Sequence, residues 1–160
     1  MRKSLLFAAT IAFALGAFLA SCAAQAKPVS ETATAGPYQV TLKVLPAESF
    51  AGAHKEMTWD GGAKPALLGS KPQPNHHLVV FVQKGGKPVE NATVHIRYRM
   101  SGNASAPWQT LPVARMYVKG KGRATMHYGN NLHLAAGDYE AKVQVGNTPA
   151  HVFRFTVGGD

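Results

Sequence analysis

Beyond residue 36 the apolar residues recur with a period of two, and no stretch there sustains a helical period. Tyr38, Val40, Leu42 and Val44 alternate with Gln39, Thr41 and Lys43, which predicts a half-buried strand. Leu78 to Val82 is an unbroken β-branched and aromatic run, expected to be a strand covered on both faces. Lys84-Gly85-Gly86-Lys87 then predicts a tight turn. Ala92, Val94, Ile96, Tyr98 and Met100 alternate with Thr93, His95, Arg97 and Arg99, so Met100 is expected in the core and His95 in solvent. Further strands are predicted over Leu111–Val118, Arg123–Tyr128, Tyr139–Val145 and Phe153–Val157. About seven or eight short strands with Gly, Pro and Asn turns describe an all-β, immunoglobulin-like antiparallel sandwich. Leu134 to Tyr139 has the spacing of a tyrosine corner, and Trp59 or Trp108 could supply a central indole.

The N-terminal segment has another character. Met1-Arg2-Lys3 is basic, and Leu5 to Ala20 is almost wholly apolar, which reads as an export signal too short to span a bilayer. Leu19-Ala20-Ser21-Cys22 has the form of a lipobox, which would make Cys22 a lipidated mature N-terminus in the periplasm. Ala24-Gln25-Ala26 is the alternative cleavage site. The expected organisation is a signal peptide over 1–22, a flexible tether over 23–36 and one domain over 37–160. Cys22 is the only cysteine, so that domain can form no internal disulfide.

Charge narrows the partners. The chain carries 17 basic and 8 acidic residues; losing Arg2 and Lys3 with the signal leaves about +7. Such a surface suits anionic lipid heads, acidic polysaccharide or an acidic protein. Export argues against nucleic acid, and there is no aromatic-basic binding motif.

Enzymatic chemistry finds little support, so the expectation is a non-catalytic protein. The domain holds no nucleophilic cysteine, G-x-S-x-G elbow, P-loop or H-E-x-x-H, and its acidic residues are scattered. What remains is imidazole and thioether: seven histidines, with methionines among them. Without thiolates these are the ligands of copper, and less specifically of other late transition metals such as iron. His76 and His77 sit where a loop enters a buried strand, and only one of the two can face inward. His127 closes a strand before a Gly/Asn turn, and His151 shares the parity of Phe153 and Phe155. Neutral imidazole is the ligand, so affinity is expected to fall as pH drops through about 6.5.

Leu111-Pro112-Val113-Ala114-Arg115-Met116, His127-Tyr128-Gly129-Asn130-Asn131-Leu132 and Gly137-Asp138-Tyr139 together resemble the periplasmic high-affinity iron-transport protein family. Its members are immunoglobulin-like, copper-containing partners of an Ftr-type inner-membrane iron permease. The resemblance implies that His127 and Met116 ligate copper with His77 lining the site. It leaves Met126 as a substitute for Met116 and His151 as the nearest counterpart of a further histidine. The family's glutamate ligand falls on Val79 here, and the loop between Met116 and His127 is longer than the family's. Together these readings point to metal uptake or tolerance; the competing one is a basic envelope module that binds an acidic partner without metal.

Overall fold

A computed structural model describes residues 29–50, 55–102 and 105–158. Cys22 and the whole expected signal lie outside the described residues. In chain order the strands are β1 (Val29–Ala35), β2 (Tyr38–Pro46), β3 (Met57–Gly62), β4 (His76–Lys84), β5 (Lys87–Pro88) and β6 (Val94–Met100). They continue with β7 (Gln109–Leu111), β8 (Ala114–Val118), β9 (His127–Leu132), β10 (Gly137–Val145) and β11 (His151–Val157). One sheet runs β1-β2-β4-β9-β8-β3, with β5 paired to β4; the other runs β11-β10-β6-β7. Every pairing is antiparallel, and the two sheets form a sandwich.

Alternation explains the core. Val40, Leu42 and Val44 of β2, Leu78, Val80 and Val82 of β4, and Tyr139, Ala141, Val143 and Val145 of β10 are buried in one cluster with Phe153, Phe155 and Val157. The Gly85-Gly86 turn has positive φ at both residues, the backbone of a two-residue hairpin whose twist suits its strands. The Tyr139 hydroxyl donates to the Ala135 carbonyl at 3.0 Å, which completes the tyrosine corner.

Several expectations need correction. Among the described residues the strands number eleven, because β5 and β7 are short and the 111–118 segment divides between the sheets at Pro112-Val113. Val29–Ala35, assigned to the tether, pairs along β2 as β1; its Thr and Ala residues carry too little apolar signal to announce a strand. Arg123–Thr125 is a 3₁₀ turn, and the strand starts only at His127. Neither tryptophan is central: Trp59 is 46% exposed, and the Trp108 ring packs against the cations of Arg99 and Lys142. Met100, at the end of its strand, is exposed.

Among the described residues no helix is long and apolar enough to cross a membrane.

Candidate metal centre

A second apolar cluster lies on the outer face of the seven-stranded sheet, away from the inter-sheet core. It consists of Phe50, Met57, Ala114 and Met116, with Val118 packed against it. Two histidines are buried with it. His77 on β4 is 0% exposed and His127 on β9 is 1% exposed. Met116 stands opposite His127 in the β8–β9 register, so both project to the same side. Phe50 joins the set, its ring centre 5.9 Å from that of His77.

The hydrogen bonds of the two rings fix their chemical state. His77 Nδ1 donates to Asn131 Oδ1 at 2.9 Å, and His127 Nδ1 donates to the Thr125 carbonyl at 2.7 Å. Both acceptors lack a proton to give, so each Nδ1 carries the hydrogen and each Nε2 keeps its lone pair. Both Nε2 atoms are buried and have no hydrogen-bond partner. A buried acceptor without a partner costs free energy, about 1–3 kcal/mol, unless something fills its lone pair. Arg115 Nε also lacks a well-aligned hydrogen bond, but it faces Asp60 Oδ2 at 3.0 Å.

Spacing permits one ion between the rings. Their centres are 5.8 Å apart and their planes perpendicular. A ring centre lies about 3.2 Å from a metal bound at about 2.1 Å, so rings sharing one ion have centres at most about 6.4 Å apart, a bound this pair meets. Among the described residues no three of His, Cys, Asp or Glu gather, so a third donor from this set would be the Met116 thioether.

Burial holds both imidazoles neutral. It pushes His77 down to about 4, with the nearby His127 adding to the fall and the Asn131 bond opposing it. His127 is lowered too, first by burial and then by Lys43, against the Thr125 bond. Protonation through about pH 6.5, the behaviour of a free imidazole, therefore does not apply to His77.

The supporting residues were not singled out from the sequence. Asn131 Oδ1 accepts from both His77 and the Glu48 backbone, while its amide donates to the Glu48 and Ala66 carbonyls at 2.8 and 2.9 Å. Asn130 accepts from Ala66 N–H and donates to the Lys64 and Pro112 carbonyls. Two adjacent asparagines thus tie the β2–β3 and β3–β4 connections to β9. Asparagine is depleted in strands, and a buried Asn-Asn pair inside one was the signal available. Gly129 is required for another reason: a Cβ there would lie 2.0 Å from the Leu78 carbonyl oxygen. Tyr128 faces the other way, donating to the Val89 carbonyl and accepting from Ala92 N–H. Each residue of His127-Tyr128-Gly129-Asn130-Asn131 therefore has a separate task.

Other expected ligands fall elsewhere. His151 opens β11 in the opposite sheet, exposed, with its ring against Phe153. A side chain there cannot reach the far face of the seven-stranded sheet. Met126 is 1% exposed but belongs to the inter-sheet core, because alternation sends it to the opposite face from His127. His76 likewise points away from His77, and its Nδ1 pairs with Asn75 Oδ1 at 2.8 Å. His95 is exposed, as the alternation predicted.

No family model matches the chain, and no curated protein matches it. Among solved structures it is similar to a DUF4426 family protein from Pseudomonas aeruginosa PAO1, at 19% identity and a TM-score of 0.47. That match covers 82% of this chain and 96% of the other.

Proposed function

We propose that this is an exported, non-catalytic metal-binding protein of the periplasm, with copper as its ion, acting in metal uptake or tolerance. The observation that carries the reading is the His77–His127 pair: two buried neutral imidazoles, both Nδ1 atoms engaged and both Nε2 lone pairs open. Structural histidines in a core usually use both nitrogens or leave one in water. Met116 adds a soft donor on the same face, which favours copper over zinc and over iron. The basic start, apolar run and Cys22 support export and a lipid anchor, and the resemblance to the iron-transport family supports a metal permease as partner.

Competitive copper titration of wild type, His127→Ala and His95→Ala tests this, with circular dichroism as the check on folding. His127→Ala is expected to lose at least about a hundredfold in affinity, since deleting a ligand exceeds the 10–100-fold cost of disturbing a ligand's support. His95→Ala should bind as wild type does. Equal affinities in all three sink the metal reading.

One observation favours the competing envelope module. On the outer face of the four-stranded sheet Arg97 lies directly opposite Lys142, a like-charge pair that costs stability. Arg99 and Arg154 share that face but both pair with Glu140, so Arg97 and Lys142 are the cations it offers to an acidic partner, with Trp108 beside them.

A further inference from the structure

We infer that the His77–His127–Met116 site takes a soft monovalent cation, Cu(I) or Ag(I), and discriminates against divalent ions. This rests on the metal-binding reading above and adds the charge class of the ion. The donors that the described residues bring to this face are neutral: two imidazoles that keep their Nε2 lone pairs, and one thioether. No carboxylate or thiolate gathers with the two histidines among the described residues. Residues 51–54, which follow Phe50, are Ala-Gly-Ala-His and bring neither. On β4 the next residue after His77 on the same face is Val79, 0% exposed, an apolar side chain set over the bare backbone of Gly129. An ion bound here keeps its full formal charge inside an apolar box of Phe50, Met57 and Val118.

That charge decides selectivity. The cost of stripping water from an ion rises with the square of its charge, so a divalent ion pays about four times what a monovalent one of similar size pays. With no anionic ligand among the described residues, none of these donors offsets the difference. The Lys43 ammonium makes it larger. Lys43 Nζ sits 5.1 Å from the centre of the Phe81 ring, and that ring lies 5.1 Å from His127. Its repulsion of a bound ion doubles when the ion's charge doubles. A thioether points the same way, because sulfur donors select Cu(I) over harder divalent ions. The divalent order, in which copper(II) leads, would then be overridden by charge.

The test uses the full mature chain and four probes: Ag(I), Cu(I) under anaerobic conditions against a chromogenic Cu(I) chelator, Cu(II) without reductant, and Zn(II). Ag(I) and Cu(I) are expected to bind about a thousandfold or more tighter than Cu(II) and Zn(II), and His127→Ala should abolish the gap. Lys43→Gln, a change on a partly exposed side chain, should raise Cu(II) affinity more than Ag(I) affinity. Cu(II) or Zn(II) binding within tenfold of Ag(I) overturns the inference while leaving the metal reading standing. No binding of any of the four ions overturns both.

Discussion

His77 stands directly opposite Asn131 in the β4–β9 register, and its Nδ1–H ends on the Asn131 side-chain oxygen. That one oxygen also receives the Glu48 backbone N–H, so the ring and the β2–β3 connection share an anchor. Asn131→Leu removes the acceptor and both amide donors from a residue only 3% exposed. Loss of about 3 kcal/mol is expected, because carbonyls and an imidazole N–H are left buried and unpaired. Chemical denaturation measures it, and nitrogen NMR of the metal-free protein should show His77 losing its single-tautomer signature. A wild-type tautomer in that variant would remove Asn131 from any role in orienting the ring.

Acid should weaken the fold through His77. Its folded pKa is about 4 against an unfolded value near 6.5, so between those values the unfolded chain binds more protons. Stability is therefore whole above about pH 6.5, declines on acidification and levels off below about 4. The total is about 3 kcal/mol from this residue. Denaturation midpoints of wild type and His77→Leu at pH 7 and pH 4.5 check it: the variant should lose less on acidification. The same burial shifts the acid limb of metal binding below the 6.5 expected of free imidazole. Half-loss of copper at pH 6.5 would contradict the geometry.

Gly129→Ala should be among the most damaging single changes. A methyl group 2.0 Å from the Leu78 carbonyl oxygen and 2.7 Å from Val79 Cα meets backbone on the central strand pair, where nothing can swing aside. Loss of about 4 kcal/mol or outright failure to fold is expected. A melting temperature within about 2 °C of wild type would mean that β4 and β9 are not so close.

Tyr139→Phe keeps the ring that stacks on Phe155 and deletes only the corner hydroxyl. With Tyr139 5% exposed, a loss of about 1–2 kcal/mol is expected, read as a shift in denaturation midpoint with unchanged slope. An unmoved midpoint would make the corner ornamental.

Cys22→Ser bears on the anchor. Intact mass of the mature wild type should show acylation at Cys22, and the substitution should release the protein from membranes or block processing. An unmodified chain beginning at Lys27 would replace the lipoprotein reading with simple secretion.

Alternation made the sandwich legible because it reports which residues face a core, and β2, β4, β6, β10 and β11 all have one strongly apolar face. It failed on β1, whose apolar side is alanine and valine at a sheet edge. His77 and His127 were legible from their positions at strand ends and from the His-Tyr-Gly block. His151 misled because parity along a strand says which face a side chain takes, not which sheet the strand joins. That is also why Met116 and Met126 could not be separated: the turn between β8 and β9 sets the register, and no periodicity crosses it. Asn131 stayed hidden because it acts through bonds to segments 65 and 83 residues away.

The seven-stranded sheet divides the apolar interior into two unequal bodies, the large cluster between the sheets and the small one around Met116. Bodies separated by a sheet need not open together. The small one is covered by connections tied to β9 through Asn130 and Asn131, so it is expected to open at a free-energy cost below that of global unfolding. Amide exchange should show two tiers, slow in β4, β10 and β11 and faster in the backbone around Phe50 and Ala66. The residence time of an ion would then follow the faster tier: cargo could leave a sandwich that never unfolds.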